Sequence, residues 1–190
     1  LTLNFSHIQY LLISLESKRN YQQIPFLNTK ISLKSSTVIL IEEKIESIGV
    51  KLPNPPTPAG SYVPVIRTGN LLFISGQIPM EDGKVIFTGK VSDGNLETAQ
   101  KSARMCAINI LAQIKRELGN LDKVTKIVKL SGFVNSMPDF TQHPKVINSA
   151  SDLLFEIFGE KGKHSRVAVG VACLPLDSMT EIDAIVEFLE

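Results

Sequence analysis

The period of the apolar positions changes several times along the chain, and each change marks an element. Val38, Ile41, Ile45 and Ile48 recur at three- and four-residue steps with Glu42, Glu43, Lys44 and Glu46 between them, and Gly49 follows. This spacing predicts a short amphipathic helix at about 37–49 with a glycine stop. The four prolines of KLPNPPTPAG (51–60) forbid helix or central strand and predict an extended connector. From Tyr62 β-rich runs take over: YVPVIRTG (62–69), LLFIS (71–75) and KVIFTGKV (84–91), separated by Gly-Asn and Glu-Asp-Gly turn signals. Ala99, Ala103, Cys106, Ile110 and Ile114 then form one continuous stripe, predicting a helix over 96–118 that Gly119-Asn120 ends. VTKIVKLSGFVNS (124–136) reads as a long strand with a glycine near its middle. Ile147, Ala150, Leu154 and Ile157 predict a second helix at about 145–158, stopped by Gly159. SRVAVGVACL (165–174) and TEIDAIVEFL (180–189) are two closing strands around Pro175-Leu176-Asp177.

Strands outnumber helices and most are hairpin-linked, so the expected class is α+β, a mostly antiparallel sheet with two main helices on one face. Such a sheet leaves a face and edges to cover. The last strand puts Ile182, Ala184, Val186 and Phe188 on one side and Glu181, Asp183, Ile185 and Glu187 on the other, which is little polar cover. Self-association is expected.

Composition refines this picture at the ends and in the charge. The chain has 190 residues, 43% of them hydrophobic, enough for one domain with a core plus an appendage. Residues 1–36 are rich in Ser, Asn, Gln and Lys and lack either period, and their net charge is +3 against −2 for the remainder. They read as an extension, either an organelle transit segment (mitochondrion or plastid) or a disordered tail of a cytoplasmic protein, with the folded domain at 37–190. No apolar run is long enough to span a bilayer, so no membrane partner is expected. A near-neutral, slightly acidic body argues against sequence-independent nucleic-acid binding. Cys106 and Cys173 each sit in an apolar run and read as buried thiols, and His7, His143 and His164 have no metal-ligand spacing.

Generic catalytic motifs are absent: there is no P-loop, G-x-G-x-x-G, G-x-S-x-G or zinc helix. Ser75 in FISGQIP is either a nucleophile or a small strand-end residue before a turn glycine. Arg166 is the more unusual feature, because it opens a strand otherwise built of Val, Ala, Gly and Cys. A guanidinium there is either a bidentate clamp for a carboxylate, an arginine that snorkels to solvent, or a structural arginine paired with Glu181 or Asp183. Glu181, in a strand expected to neighbour that of Arg166, is either a surface carboxylate or a base that positions water.

Together, GSYVPVIRTGNLLFISGQIP (60–79), GFVNSMPDF (132–140), VINSASDLLFEIFG (146–159) and SRVAVGVACLPLDSMTEIDAIVEF (165–188) resemble the Rid family, also called the YjgF or L-PSP endoribonuclease family. The resemblance runs from about Pro53 to Phe188. It implies a chorismate-mutase-like fold, a homotrimer with clefts between subunits, and no cofactor or metal. Members of the deaminase branch hydrolyse reactive 2-imino or enamino acids to 2-keto acids and ammonia. On that resemblance Arg166 would clamp the substrate carboxylate, Tyr62, Ser75 and Gly76 would shape the cleft, Asn148 would line it, and Glu181 would hold the attacking water. Two departures bear on substrate range. Ala168 stands where the branch often has Cys, leaving only a backbone role there, and the stretch from Asn148 to Arg166 is about one residue longer than usual. The competing expectations are a non-catalytic keto-acid-binding or interaction protein and an endoribonuclease.

Overall fold

The computed structural model describes residues 40–55 and 61–190. The extension at 1–36, with its transit-segment reading, and the second half of the proline connector lie outside the described residues.

The first helix, α1 (Ile41–Ser47), is seven residues long and buries Ile45. It cannot stand alone at that length. It is held by the turn after the second helix, where Asp122 Oδ1 accepts from Ile41 N at 3.0 Å and Glu42 Oε1 accepts from Leu121 N at 3.1 Å. The strands β1 (Val65–Thr68) and β2 (Leu71–Gln77) form a hairpin, followed by a two-residue ribbon, β3 (Met80–Glu81) and β4 (Lys84–Val85). The long helix α2 spans Leu96–Leu118, and Gly119 ends it in the left-handed conformation at φ 74°. Then come β5 (Val124–Asn135), α3 (His143–Phe158), β6 (Ser165–Val171) and β7 (Thr180–Phe188).

Five strands make one sheet in the order β1-β2-β7-β5-β6. All neighbours are antiparallel except β5 and β6, which run parallel. β7 is therefore central, and its alternation is strict: Thr180, Ile182, Ala184, Val186 and Phe188 are buried, with the residues between them half-buried. The buried row meets α2, α3 packs beside α2 over β5 and β6, and the two helical stripes (Ala99, Ala103, Cys106, Ile110 and Ile114; Val146, Ile147, Ala150, Leu153, Leu154 and Ile157) complete the core. At Gly132 α3 lies close against the sheet. A Cβ there would stand 2.7 Å from Ile147 Cγ1, so the mid-strand glycine makes room for the helix.

Three expectations are corrected. The run 84–91 is not a strand beyond Val85. Its remainder crosses the end of the sheet, with isolated bridges from Thr88 to Ser178 and Val91 to Ser136, because Gly89 takes φ 98° and donates its N–H to the Asp177 carbonyl. The strands of Arg166 and Glu181 are not neighbours, since β5 lies between them. The turn at Pro175–Asp177, with Leu176 and Asp177 at φ 53° and 55°, carries the chain over the end of β5 to its far side, and Asn135 Nδ2 fastens it at 3.1 Å to Asp177 Oδ1. Only Cys106 is a buried thiol, pushed up to about 12 mainly by burial; Cys173 lies beyond the end of β6 and is exposed.

Candidate functional site

Arg166 lies on β6, at the sheet edge. Its register partner on β5 is Leu130, whose partner on β7 is Ala184. Residues in one cross-strand row share a face, so Arg166 points to the helix side of the sheet. There its Nη1 donates to Ser151 Oγ on α3 at 2.9 Å. Ser151 Oγ also lies 3.0 Å from His164 Nε2, and His164 Nδ1 lies 2.6 Å from the Gly162 carbonyl. A carbonyl only accepts, so Nδ1 carries the proton and Nε2 accepts from the Ser151 hydroxyl. Burial holds the His164 pKa below its ordinary value, with the Arg166 and Lys126 charges adding to the effect against the Gly162 bond. The result is a directed chain that fixes one edge of the guanidinium, and among the described residues no other side chain occupies its remaining donors. Among the described residues no carboxylate pairs with Arg166. Ala168 follows on the same face, in register with Gly132, and Asn148 is exposed on α3 one turn before Ser151.

Glu181 belongs to the opposite face. It is in register with Phe133 on β5 and alternates with the buried Thr180 and Ile182. Its carboxylate occupies the space a side chain at position 76 would fill: a Cβ on Gly76 would be 1.9 Å from Glu181 Oε1. Gly76 lies in the irregularity between Ile74 and Gln77 where β2 slips against β7. Side chains from α2 pin that irregularity. Gln77 Nε2 donates to the Ser75 and Gly76 carbonyls at 2.9 and 3.2 Å, Gln113 Nε2 donates to Gln77 Oε1 at 3.2 Å, and Asn109 Nδ2 holds the Ile78 and Met80 carbonyls. Ser75 Oγ donates to the Val63 carbonyl at 2.9 Å, which ties the segment carrying the exposed Tyr62 to β2. The Glu181 pKa is raised, first by burial and then by the Asp183 carboxylate on the same face. No basic side chain pairs with Glu181 among the described residues.

One chain thus assembles the expected residues as two groups. Arg166, Ala168 and Asn148 lie on the helix side, and Glu181, Gly76, Ser75 and Tyr62 on the other side or its rim, with β5 between Arg166 and Glu181. Ser151 and His164 were not singled out from the sequence. Their signal was available: His164 is two residues before Arg166 and so shares its face, and Ser151 follows Ile147 by one helical turn.

A family model described as "YjgF/chorismate mutase-like, putative endoribonuclease" matches residues 42–188. The chain belongs to the YjgF (Rid) family. The mixed sheet with its two helices is accordingly the YjgF, chorismate-mutase-like fold. A curated relative, Protein TCP17 of Trypanosoma cruzi, is 42% identical over 149 residues, covering 77% of this chain and 93% of its own. The crystal structure of a protein of unknown function from Agrobacterium tumefaciens is 47% identical at a TM-score of 0.74, covering 78% of this chain and 92% of its own. E. coli TdcF, crystallised with bound serine, is similar at 28% identity and a TM-score of 0.51, covering 72% of this chain and 94% of its own.

Among the described residues of this YjgF-family chain, the sheet face away from the helices carries an exposed apolar patch. Ile66, Phe73 and Ile185 form one cross-strand row, with Phe133, Val167 and Val169 beyond it. Ile66, Phe73, Val167 and Val169 are 54%, 41%, 40% and 39% exposed, too much apolar surface on one face for a sheet that meets only water. Among the described residues no helix is long and apolar enough to cross a membrane, and no group of three or more His, Cys, Asp and Glu is placed to hold a metal ion.

Proposed function

We propose that this chain hydrolyses reactive 2-imino and enamino acids to 2-keto acids and ammonia, in clefts formed between copies of a homotrimer. One observation carries the reading: Arg166 is a half-buried guanidinium, aimed by Ser151, with no carboxylate among the described residues against it. Such a group is built to receive a carboxylate from outside. The serine bound to the related E. coli TdcF, itself a small amino acid with a carboxylate, supports this.

Substrate binding would begin with that carboxylate on the free donors of Arg166, with Asn148 and the backbone at Ala168 beside it. Glu181 reaches the same substrate from a second copy, whose Tyr62, Ser75 and Gly76 form the facing wall; the apolar open face supports that assembly. A protonated imine is already electrophilic, so its hydrolysis calls for no metal or cofactor. Glu181 takes a proton from water as the water oxygen bonds to the imine carbon. The C=N π electrons move onto nitrogen, which takes up a proton. The carbon–nitrogen bond then breaks as the carbonyl forms, and water plus iminium become keto acid plus ammonium. The raised Glu181 pKa makes the carboxylate a better base for that step.

The test is a coupled assay in which a pyridoxal-phosphate dehydratase generates 2-iminobutanoate. The pure protein should accelerate release of 2-oxobutanoate, and Arg166→Ala should abolish the acceleration. Tight binding of the keto acid with no acceleration would select a non-catalytic binding protein. RNA cleavage lost in Arg166→Ala would select an endoribonuclease.

A further inference from the structure

β5 and β6 run parallel and α3 joins them, so the three elements form one β-α-β unit. Parallel strands tied by a crossover helix open a crevice at their carboxyl ends, where such units bind ligands. In this chain that end holds a cleft of about 570 Å³, within the range of small-molecule sites. Ser136, directly after β5, His143, the first residue of α3, and Gly170, near the end of β6, all line it.

Ser136 Oγ and His143 Nε2 are 3.0 Å apart, and both residues are half-buried. Their meeting is arranged from three sides. Val91 fastens the backbone on either side of Ser136: its N–H donates to the Asn135 carbonyl at 2.8 Å, and its carbonyl accepts from Met137 N at 2.9 Å. The buried Phe140 ring stands edge-on to the imidazole, with centroids 5.2 Å apart. Gly170 leaves the space in which the pair meets, since a Cβ there would stand 2.5 Å from His143 Nε2 and 2.6 Å from Ser136 Oγ. A hydroxyl within hydrogen-bond reach of an imidazole, open to a ligand-sized cleft, is the starting arrangement for serine acylation.

The charge of the lining suits that chemistry. Lys90, whose Nζ donates to the Ala172 carbonyl, brings an ammonium to the cleft, and no carboxylate is among the described residues that line it. Negative charge developing on a reacting carbonyl oxygen would meet a cation and no anion. Met137, Pro138 and Val171 give the wall an apolar surface.

We infer that Ser136 and His143 form a second reactive site, which hydrolyses esters of small apolar carboxylic acids. The cleft contains none of the residues grouped around Arg166 and Glu181, so the inference stands apart from the imine reading. Ser136 Oγ bonds to the ester carbonyl carbon as its proton passes to His143 Nε2, and the C=O π electrons move onto oxygen, where Lys90 offsets the charge. That electron pair returns as the bond to the alcohol oxygen breaks, and the alcohol leaves with the proton from His143. Water then attacks acyl-Ser136 through the same two transfers, so that ester plus water become acid plus alcohol.

The experiment incubates the full chain with 4-nitrophenyl acetate, follows 4-nitrophenol release, and maps protein acetylation after acid quench by peptide mass spectrometry. Acetyl should accumulate on Ser136 and not on the exposed Ser61 or Ser165, a comparison that needs no variant. Ser136→Ala and His143→Gln should each slow release at least ~100-fold, the lower bound for a positioned general base. Gly170→Ala should slow it too, by holding the pair apart. Thermal melts identify any variant that fails to fold, and the wild-type acetyl map then decides. Release no faster in the wild type than in folded Ser136→Ala, release undiminished in His143→Gln, or acetyl on exposed serines and lysines with none on Ser136 overturns the inference.

Discussion

Gly76→Ala isolates the placement of Glu181 from its chemistry. The new methyl carbon would lie 1.9 Å from Glu181 Oε1, where ordinary contact begins at 3.4 Å, so the carboxylate must retreat by about 1.5 Å. The obstructing atoms are the far end of a flexible, half-buried side chain, with Cδ at 2.8 Å and Cγ at 3.1 Å, and no backbone stands in the way. The carboxylate can therefore rotate outward, and the stability cost should stay below ~1 kcal/mol. Catalysis is less forgiving, because a displacement of ~1 Å in a reacting group costs ~100-fold. The dehydratase-coupled assay should show kcat reduced by about that factor with KM for the imine little changed, since Arg166 is untouched. In a double variant with Glu181→Ala the glycine change should add almost nothing, because its target has gone. Full activity in Gly76→Ala, or additive losses in the double variant, would refute the reasoning.

Three other outcomes follow from the same geometry. Gly132→Ala puts a methyl 2.7–2.9 Å from three Ile147 carbons in the buried core, and should cost ~1–3 kcal/mol by denaturant titration, partly recovered by Ile147→Val. His164 has a lowered folded pKa, so acidification protonates the unfolded chain first; stability should fall as pH drops through the ordinary histidine range and level off below the folded value. His164→Gln should flatten that slope, and protonation of Nε2 should weaken keto-acid binding by breaking the acceptor that orients Ser151 and Arg166. Phe73→Asp on the open face should leave the fold intact and shift the assembly to monomer by light scattering.

Much of the fold is legible in the period of the apolar positions, because a buried face dictates it. The 96–118 helix and the alternation of 180–188 could be read directly, since Ala99 through Ile114 and Ile182 through Phe188 each have one partner surface. Strand order was not legible in this way. The placement of β5 between β6 and β7 depends on a left-handed turn at Leu176 and Asp177 and on a buried Asn135 that fastens it, neither of which alters any period. The 84–91 run misleads for a related reason: it is as rich in Val, Ile, Phe and Thr as a strand would be, yet Gly89 and two isolated bridges route it across the sheet end. In the site, Arg166 stood out because a charge on an apolar strand is rare. Outside it, the Ser136–His143 hydrogen bond at the start of α3 could not be read from sequence, as it forms over the bare Gly170 of a different strand.

The central claim is that Arg166 and Glu181 serve one substrate from two copies, since each chain holds them on opposite faces with β5 between. Refolding Arg166→Ala together with Glu181→Ala in equal amounts tests it most directly. Each variant alone should be inactive, and the mixed assembly should recover about a quarter of wild-type activity, the fraction of interfaces that pair an intact arginine with an intact glutamate. A mixture whose subunits demonstrably exchange and that still stays as inactive as its components would contradict the account.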